Sequence, residues 1–240
     1  LGTCVVALGN SHHLGRIGAW AEQAAAAGLV SMHFVNVISR GIVAPFGGGD
    51  ARFGTNPFCA GVPLTGRPPV ILDFATSMIA QGKTRVAMNK GELVDEGCLI
   101  DDHGRPTREP HFTVVPPFGA LLTFGGHKGF GMALMCELLG GALAAGMTQR
   151  DADASQKRVL NGMFSVLVDP AALADRAGFE AEALAFIDWV RGLIALRDPA
   201  LAQGNLYRSV QLRGAWLPGH TLYLDNRQMQ GKAGFFVVTP

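Results

Sequence analysis

Asn10-Ser11-His12-His13-Leu14-Gly15-Arg16 lies between an apolar run at residues 3–8 and an alanine-rich stretch at 19–27. Polar residues that end a buried strand and turn at once into a helix deliver side chains to a sheet edge, where reactive groups meet ligands. Two histidines at such an edge point to acid/base chemistry, because an imidazole of unperturbed pKa about 6.5 both takes and returns a proton near neutral pH. Neighbouring strand residues face opposite sides, so only one of His12 and His13 is expected to act. A structural histidine pair at a turn is the alternative. His33, His103, His111 and His220 show no metal-ligand spacing and read as structural or solvated, and no metal is expected.

A second candidate is Gly125-Gly126-His127-Lys128-Gly129, which opens an apolar run at 130–145. The first N–H groups of a helix have no intrahelical partner, and the helix dipole adds partial positive charge there. Glycines let a ligand approach that backbone, Lys128 adds a full charge and His127 a donor, so a dinucleotide phosphate or a carboxylate would be well placed. A glycine turn before a core helix, with Lys128 in water, would show the same letters. Ile71-Leu72-Asp73-Phe74-Ala75 places one carboxylate at the carboxyl end of an apolar strand. Asp73 can accept from a ribose or orient a histidine; equally, Asp or Thr can cap a helix beginning near Met78.

Two phosphate-loop lookalikes fail. Gly82-Lys83-Thr84 has Ser77 where the first glycine belongs, and the glycine spacing at 214–221 has His220 in place of the lysine that reaches the phosphates. No Gly-x-Gly-x-x-Gly follows an expected strand, so an ordinary Rossmann site is not supported.

The elements that must carry these residues alternate. Strands are expected at 3–8, 29–37, 58–63, 70–75 and 162–169, and helices at 15–27 (ended by Gly28), 76–90 (closed by Gly91), 130–145 and 171–193 with a break near Gly178. The helix at 130–145 is apolar on nearly every face and is expected to be buried. An irregular glycine-rich stretch at 39–57 is long enough to point to function. The alternation implies a layered α/β core.

With 240 residues, 48% hydrophobic and 16% charged, the chain can bury a substantial core, and disorder is not expected. A net charge of +1 without a Lys/Arg cluster gives no reason to expect nucleic acid as partner. The apolar run at 130–145 is shorter than the ~20 residues of a bilayer span and carries Glu137, so no membrane partner is expected. Cys4, Cys59, Cys98 and Cys136 show no paired spacing and read as reduced core residues of a cytoplasmic protein. The chain lacks an initiator Met, and further residues upstream are expected.

Ser11-His12-His13-Leu14-Gly15-Arg16-Ile17-Gly18-Ala19-Trp20-Ala21-Glu22-Gln23, Ala44-Pro45-Phe46-Gly47, Arg52-Phe53-Gly54-Thr55-Asn56-Pro57, Leu72-Asp73-Phe74-Ala75-Thr76-Ser77, Gly82-Lys83 and Gly126-His127-Lys128-Gly129 together resemble the malate/L-lactate dehydrogenase family, in particular its hydroxycarboxylate dehydrogenase branch. The resemblance implies NAD(P)-dependent hydride transfer between 2-hydroxy acids and 2-oxo acids of the malate, lactate or phenyllactate type, on a layered helix/mixed-sheet/helix α/β fold that is not a Rossmann fold. It selects His13 as acid/base and assigns cofactor contacts to Gly15, Arg16, Ile17, Ser39, Ile71, Leu72, Asp73, Phe74, Ala75, His127, Lys128 and Asn161. It also implies a homodimer. Relatives carry a longer N-terminal segment with a Ser/His/Arg group for the substrate, so the N-terminal part of the family fold is expected to be missing here. The family's Pro-Gly-Glu segment is matched at best by Pro218-Gly219-His220, and the ending at 234–239 differs from the family tail. On this reading residues 1–165 form the NAD(P)-binding core and 166–240 a helical C-terminal region with an atypical tail. A cyclic-imine reductase of the same family, and a truncated chain that binds cofactor without catalysis, are the alternatives.

Overall fold

The computed structural model describes residues 2–151, 158–173, 175–192, 222–229 and 232–238. Its centre is a mixed sheet of seven strands: β1 (Thr3–Ser11), β8 (Leu160–Val168), β2 (Val30–Ile38), β3 (Phe58–Val62), β4 (Val70–Phe74), β9 (Leu222–Met229) and β10 (Lys232–Val238), in that spatial order. The β4–β9 pair is parallel and the other pairs are antiparallel. A small second sheet joins β5 (Leu99–Ile100) to β6 (Pro106–Thr107) and β7 (Ala120–Leu121). The boundary expected at residue 165 falls inside β8, which is paired on both sides, and β9 and β10 join the main sheet rather than extending a helical region. His220 and the segment 214–221 lie outside the described residues.

Alternation along β2 divides the sheet into two faces. Val35 points into an apolar cluster with Ile17, Ala21, Ala25, Cys59, Ile71 and Met163, over which helix α1 (Gly18–Ala26) lies. Alanines favour the helix intrinsically and keep its contact surface thin. A side chain at Gly61 would come within 2.9 Å of the Ala21 carbonyl, so the helix sits almost on the strand backbone. Helix α1 stops where Gly28 takes φ +77, a conformation that costs glycine little.

Phe34 and Asn36 point to the other face. Helix α3 (His127–Met135) runs directly into a π-helical segment, Cys136–Leu143, which packs on β2 and β8. This stretch is not buried all round as expected: Leu134, Met135, Leu138 and Leu143 are exposed. The sheet covers only the side that presents Ala133, Cys136, Glu137, Gly140 and Gly141, and the chain is apolar beyond what that side needs.

Other differences have local causes. Residues 76–80 are not helical, because Ser77 pairs with Thr123 and the Met78 N–H donates to the Leu122 carbonyl at 2.7 Å; helix α2 begins only at Gln81 and runs to Lys90. The C-terminal helix is divided into α4 (Pro170–Leu173) and α5 (Arg176–Arg191), and the division precedes Gly178. Asp175 makes it, accepting from the N–H groups of Ala177 at 3.3 Å and Gly178 at 2.8 Å. Cys59, Cys98 and Cys136 are buried as expected, whereas Cys4 is exposed on edge strand β1. No helix among the described residues is long and apolar enough to cross a membrane.

Candidate active site

Strand directions gather the candidate residues. β1, β2 and β4 run one way and β8 and β3 the other, so the carboxyl ends of the first three and the amino ends of the other two share one edge. The His13 turn, Ser39, Asn161 and the segment Asp73 to Ala75 all lie there. The start of α3 is tied to the same edge: the Phe124 N–H donates to the Thr76 carbonyl at 3.1 Å, and the Thr76 N–H to the Thr55 carbonyl at 3.0 Å.

A bulge aims the histidine turn. Leu8 pairs with Met163 but Ser11 with Asn161, so two residues, Gly9 and Asn10, oppose one on β8. Asn10 takes φ +52 at this point, a conformation asparagine tolerates better than most residues, and bulges commonly re-aim the chain beside functional sites. The turn is then fixed from below, where the Leu14 N–H donates to Asn161 Oδ1 at 2.9 Å. His12 and His13 are both exposed. His13 Nδ1 accepts from the Gly15 N–H at 3.0 Å, which places the proton of the neutral ring on Nε2. The ring takes up a second proton only by releasing that N–H.

Asp73 has an assigned partner. Its Oδ2 accepts from the Gly18 N–H at 2.9 Å, so the helix it caps is α1, not one starting near Met78. Arg16 pairs with Glu22 at 2.6 Å. Ile17 and Ile71 are core side chains, 5% and 0% exposed, which leaves only their backbones to a ligand. Leu72 and Ala75 are half-buried, and Phe74 packs between Phe58 and Phe124 at ring distances of 5.7 and 5.2 Å. Ser39 Oγ donates to the Arg40 carbonyl at 3.0 Å. Asn161 is 3% exposed, beneath the edge rather than on it.

At the start of α3, Gly125 and Gly126 take φ +55 and +61, no side chain caps the helix, and His127 and Lys128 are exposed. The Lys128 and Gly129 N–H groups already donate to the Gly125 and Phe124 carbonyls at 3.3 and 3.0 Å, so this N-terminus offers an anion the positive end of the helix dipole, the His127 side chain and the Lys128 ammonium group. The donor set fits a dinucleotide phosphate. Thiol chemistry is disfavoured at the buried cysteines: burial pushes Cys98 up to about 11, Cys136 up to about 12 and Cys59 higher still, so these thiols stay protonated at neutral pH.

The model of the malate/L-lactate dehydrogenase family matches residues 1–205. The chain belongs to this family. It is similar to hydroxycarboxylate dehydrogenase B of Escherichia coli (strain K12), with 52% identity over 192 residues covering 79% of this chain and 53% of that protein. It is 36% identical over 173 residues to the Delta(1)-pyrroline-2-carboxylate/Delta(1)-piperideine-2-carboxylate reductase of Pseudomonas syringae pv. tomato, covering 70% of this chain and 49% of the relative. Among solved structures, one described as a malate/lactate dehydrogenase from E. coli superimposes with a TM-score of 0.77 at 50% identity, covering 82% of this chain and 55% of that one. The chain thus spans about half the length of the curated relatives it matches.

Within this family member, the resemblance did not single out the polar layer under the site. Asn36 and Asn56 are fully buried and Glu137 is 6% exposed. The one signal in the sequence was Glu137, a lone carboxylate inside the apolar run.

Proposed function

We propose that the chain carries the cofactor site and acid/base group of an NAD(P)-dependent oxidoreductase that interconverts 2-hydroxy acids and 2-oxo acids. The observation that carries this reading is the presence, on one sheet edge, of an exposed His13 and a glycine-started, uncapped helix with exposed His127 and Lys128. The bound nicotinamide would supply the hydride acceptor or donor. Lys128 and the positive end of α3 hold a phosphate, while Gly15, Arg16 and Ser39 flank it from the neighbouring loops. Asp73, by fixing the start of α1, keeps the turn that carries Gly15 and Arg16 in place. His13 takes the hydroxyl proton in oxidation and returns it in reduction, with the ring swinging off the Gly15 N–H as it does so.

Replacement His13→Ala should lower turnover of a 2-oxo acid by about 10²–10⁴-fold, the range general acid–base catalysis supplies, with the dissociation constant of NADH within threefold of wild type. Stopped-flow turnover and cofactor fluorescence measure the two. Unchanged turnover would sink the assignment. Similarity to the P. syringae reductase supports a second reading, reduction of a cyclic C=N bond. A panel of oxo acids and cyclic imines with NADH and NADPH separates the two, and dinucleotide binding without turnover of any of them points to a cofactor-binding chain only. The exposed apolar row Leu134, Met135, Leu138 and Leu143 supports a homodimer, and four free thiols fit the cytoplasm.

A further inference from the structure

We propose that Glu137 is a positioning residue that holds the His13 turn through Asn36 and Asn161, and the Ser39 segment through Gln149; its catalytic consequence rests on His13 being the acid/base.

The carboxylate sits where a charge is costly unless fully hydrogen-bonded. Oε1 accepts from Asn56 Nδ2 at 2.9 Å, and Oε2 from the Gln149 N–H at 3.0 Å and Asn36 Nδ2 at 3.4 Å. None of the ion pairs among the described residues involves it, and the partners described for it are all amide donors. The donors point inward from three separate segments, which only an acceptor-only group satisfies. A glutamine would turn its own NH₂ against one of them.

Two branches leave this centre and end at the site edge. In the first, Asn36 accepts the Gly162 N–H on Oδ1 at 2.8 Å, while its backbone carbonyl accepts Asn161 Nδ2 at 2.9 Å. Asn161 Oδ1 in turn holds the Leu14 N–H, one residue from His13. In the second, Gln149 donates from Nε2 to the Ser39 carbonyl at 2.6 Å and accepts the Ser39 N–H on Oε1 at 3.3 Å. The first branch bears on the proton transfer. With Leu14 pinned, the release of the Gly15 N–H by His13 Nδ1 is confined to rotation of the ring, and the turn itself keeps its place.

The test is amide hydrogen exchange on the full chain, comparing wild type with Glu137→Gln and Glu137→Asp at Leu14, Ser39 and Val43. Val43 belongs to a separate core cluster and its N–H donates to the Phe53 carbonyl. In Glu137→Gln, exchange at Leu14 and Ser39 should accelerate at least tenfold more than at Val43. Glu137→Asp, which keeps the charge, should show a smaller effect of the same pattern, and it decides the matter if the glutamine variant does not fold. Equal acceleration at all three amides, or none at Leu14, overturns the proposal. A kinetic arm uses the same proteins: Glu137→Gln should lower kcat at least tenfold and raise the NADH dissociation constant through the loosened Ser39 segment, and aspartate should recover part of both losses. A wild-type chain that reduces no oxo acid or imine removes the catalytic consequence, while the exchange arm still decides the network.

Discussion

The two faces of β2 bury polar side chains in opposite ways. Towards α1 lie Ser31 and His33: His33 Nδ1 meets Ser165 Oγ at 2.8 Å, but His33 Nε2 and Ser31 Oγ have no protein partner. Towards the π-helical segment lies Asn36, whose side-chain amide meets Met147, Glu137 and Gly162, within a layer that reaches Asn56 and Asn161. Both clusters are anchored on the same strand. An unpartnered polar group only costs desolvation, whereas a connected one fixes the segments it joins. The connected layer is the one beneath the candidate site.

Removing the centre of the connected layer is expected to have the largest effect. Asn36→Ala orphans the Gly162 N–H and the Met147 carbonyl and takes a donor from Glu137, which should cost about 4 kcal/mol in urea unfolding. A cost under about 1 kcal/mol would erase the contrast between the faces. Next comes Gly140→Ala, whose new methyl group would stand 2.6 Å from the Phe34 carbonyl and 2.9 Å from the Asn36 N–H nitrogen. Backbone atoms cannot rotate aside, so a loss of about 3 kcal/mol is expected by the same measurement.

On the α1 face, His33 makes stability depend on pH. Burial pushes its pKa down to about 4, below the ordinary 6.5, so the folded chain keeps the ring neutral where the unfolded chain binds a proton. Stability is therefore full above pH 6.5 and falls as pH is lowered towards 4, by up to about 3 kcal/mol. Thermal melts across this range should show the slope in wild type and a shallower one in His33→Leu. The smallest change is expected from Ser31→Ala, which removes a buried hydroxyl without a partner and should alter stability by less than about 1 kcal/mol, in the stabilising direction.

Much of the main sheet was legible because its signals are local. The runs that became β1 to β4 and β8 needed only apolar residues bounded by turn chemistry, and Gly28 and Gly91 ended helices with the positive φ that glycine adopts freely. The helix expected at 76–90 failed at its first turn for a non-local reason: Ser77 and Met78 find their backbone partners at Thr123 and Leu122. Burial of the helix at 130–145 was over-read, since periodicity reports which side chains are apolar and not how much neighbouring surface exists to cover them.

For the site, the turn at His13 and the glycines before α3 were visible as residue types at element ends. Asp73 was visible as a carboxylate at a strand end, but its partner, the Gly18 N–H, is fixed only when α1 folds across β3 and β4. The sequence by itself determined the strands β1 to β4 and β8, the glycine helix ends and the residues able to hold a proton or an anion, because those follow from local chemistry. Which of them share an edge, and that Asn36, Asn56, Glu137 and Asn161 meet beneath it, was decided only in three dimensions. Hydrogen bonds between residues more than a hundred positions apart, such as Asn36 to Glu137 and Leu14 to Asn161, exist only once the fold has brought their segments together.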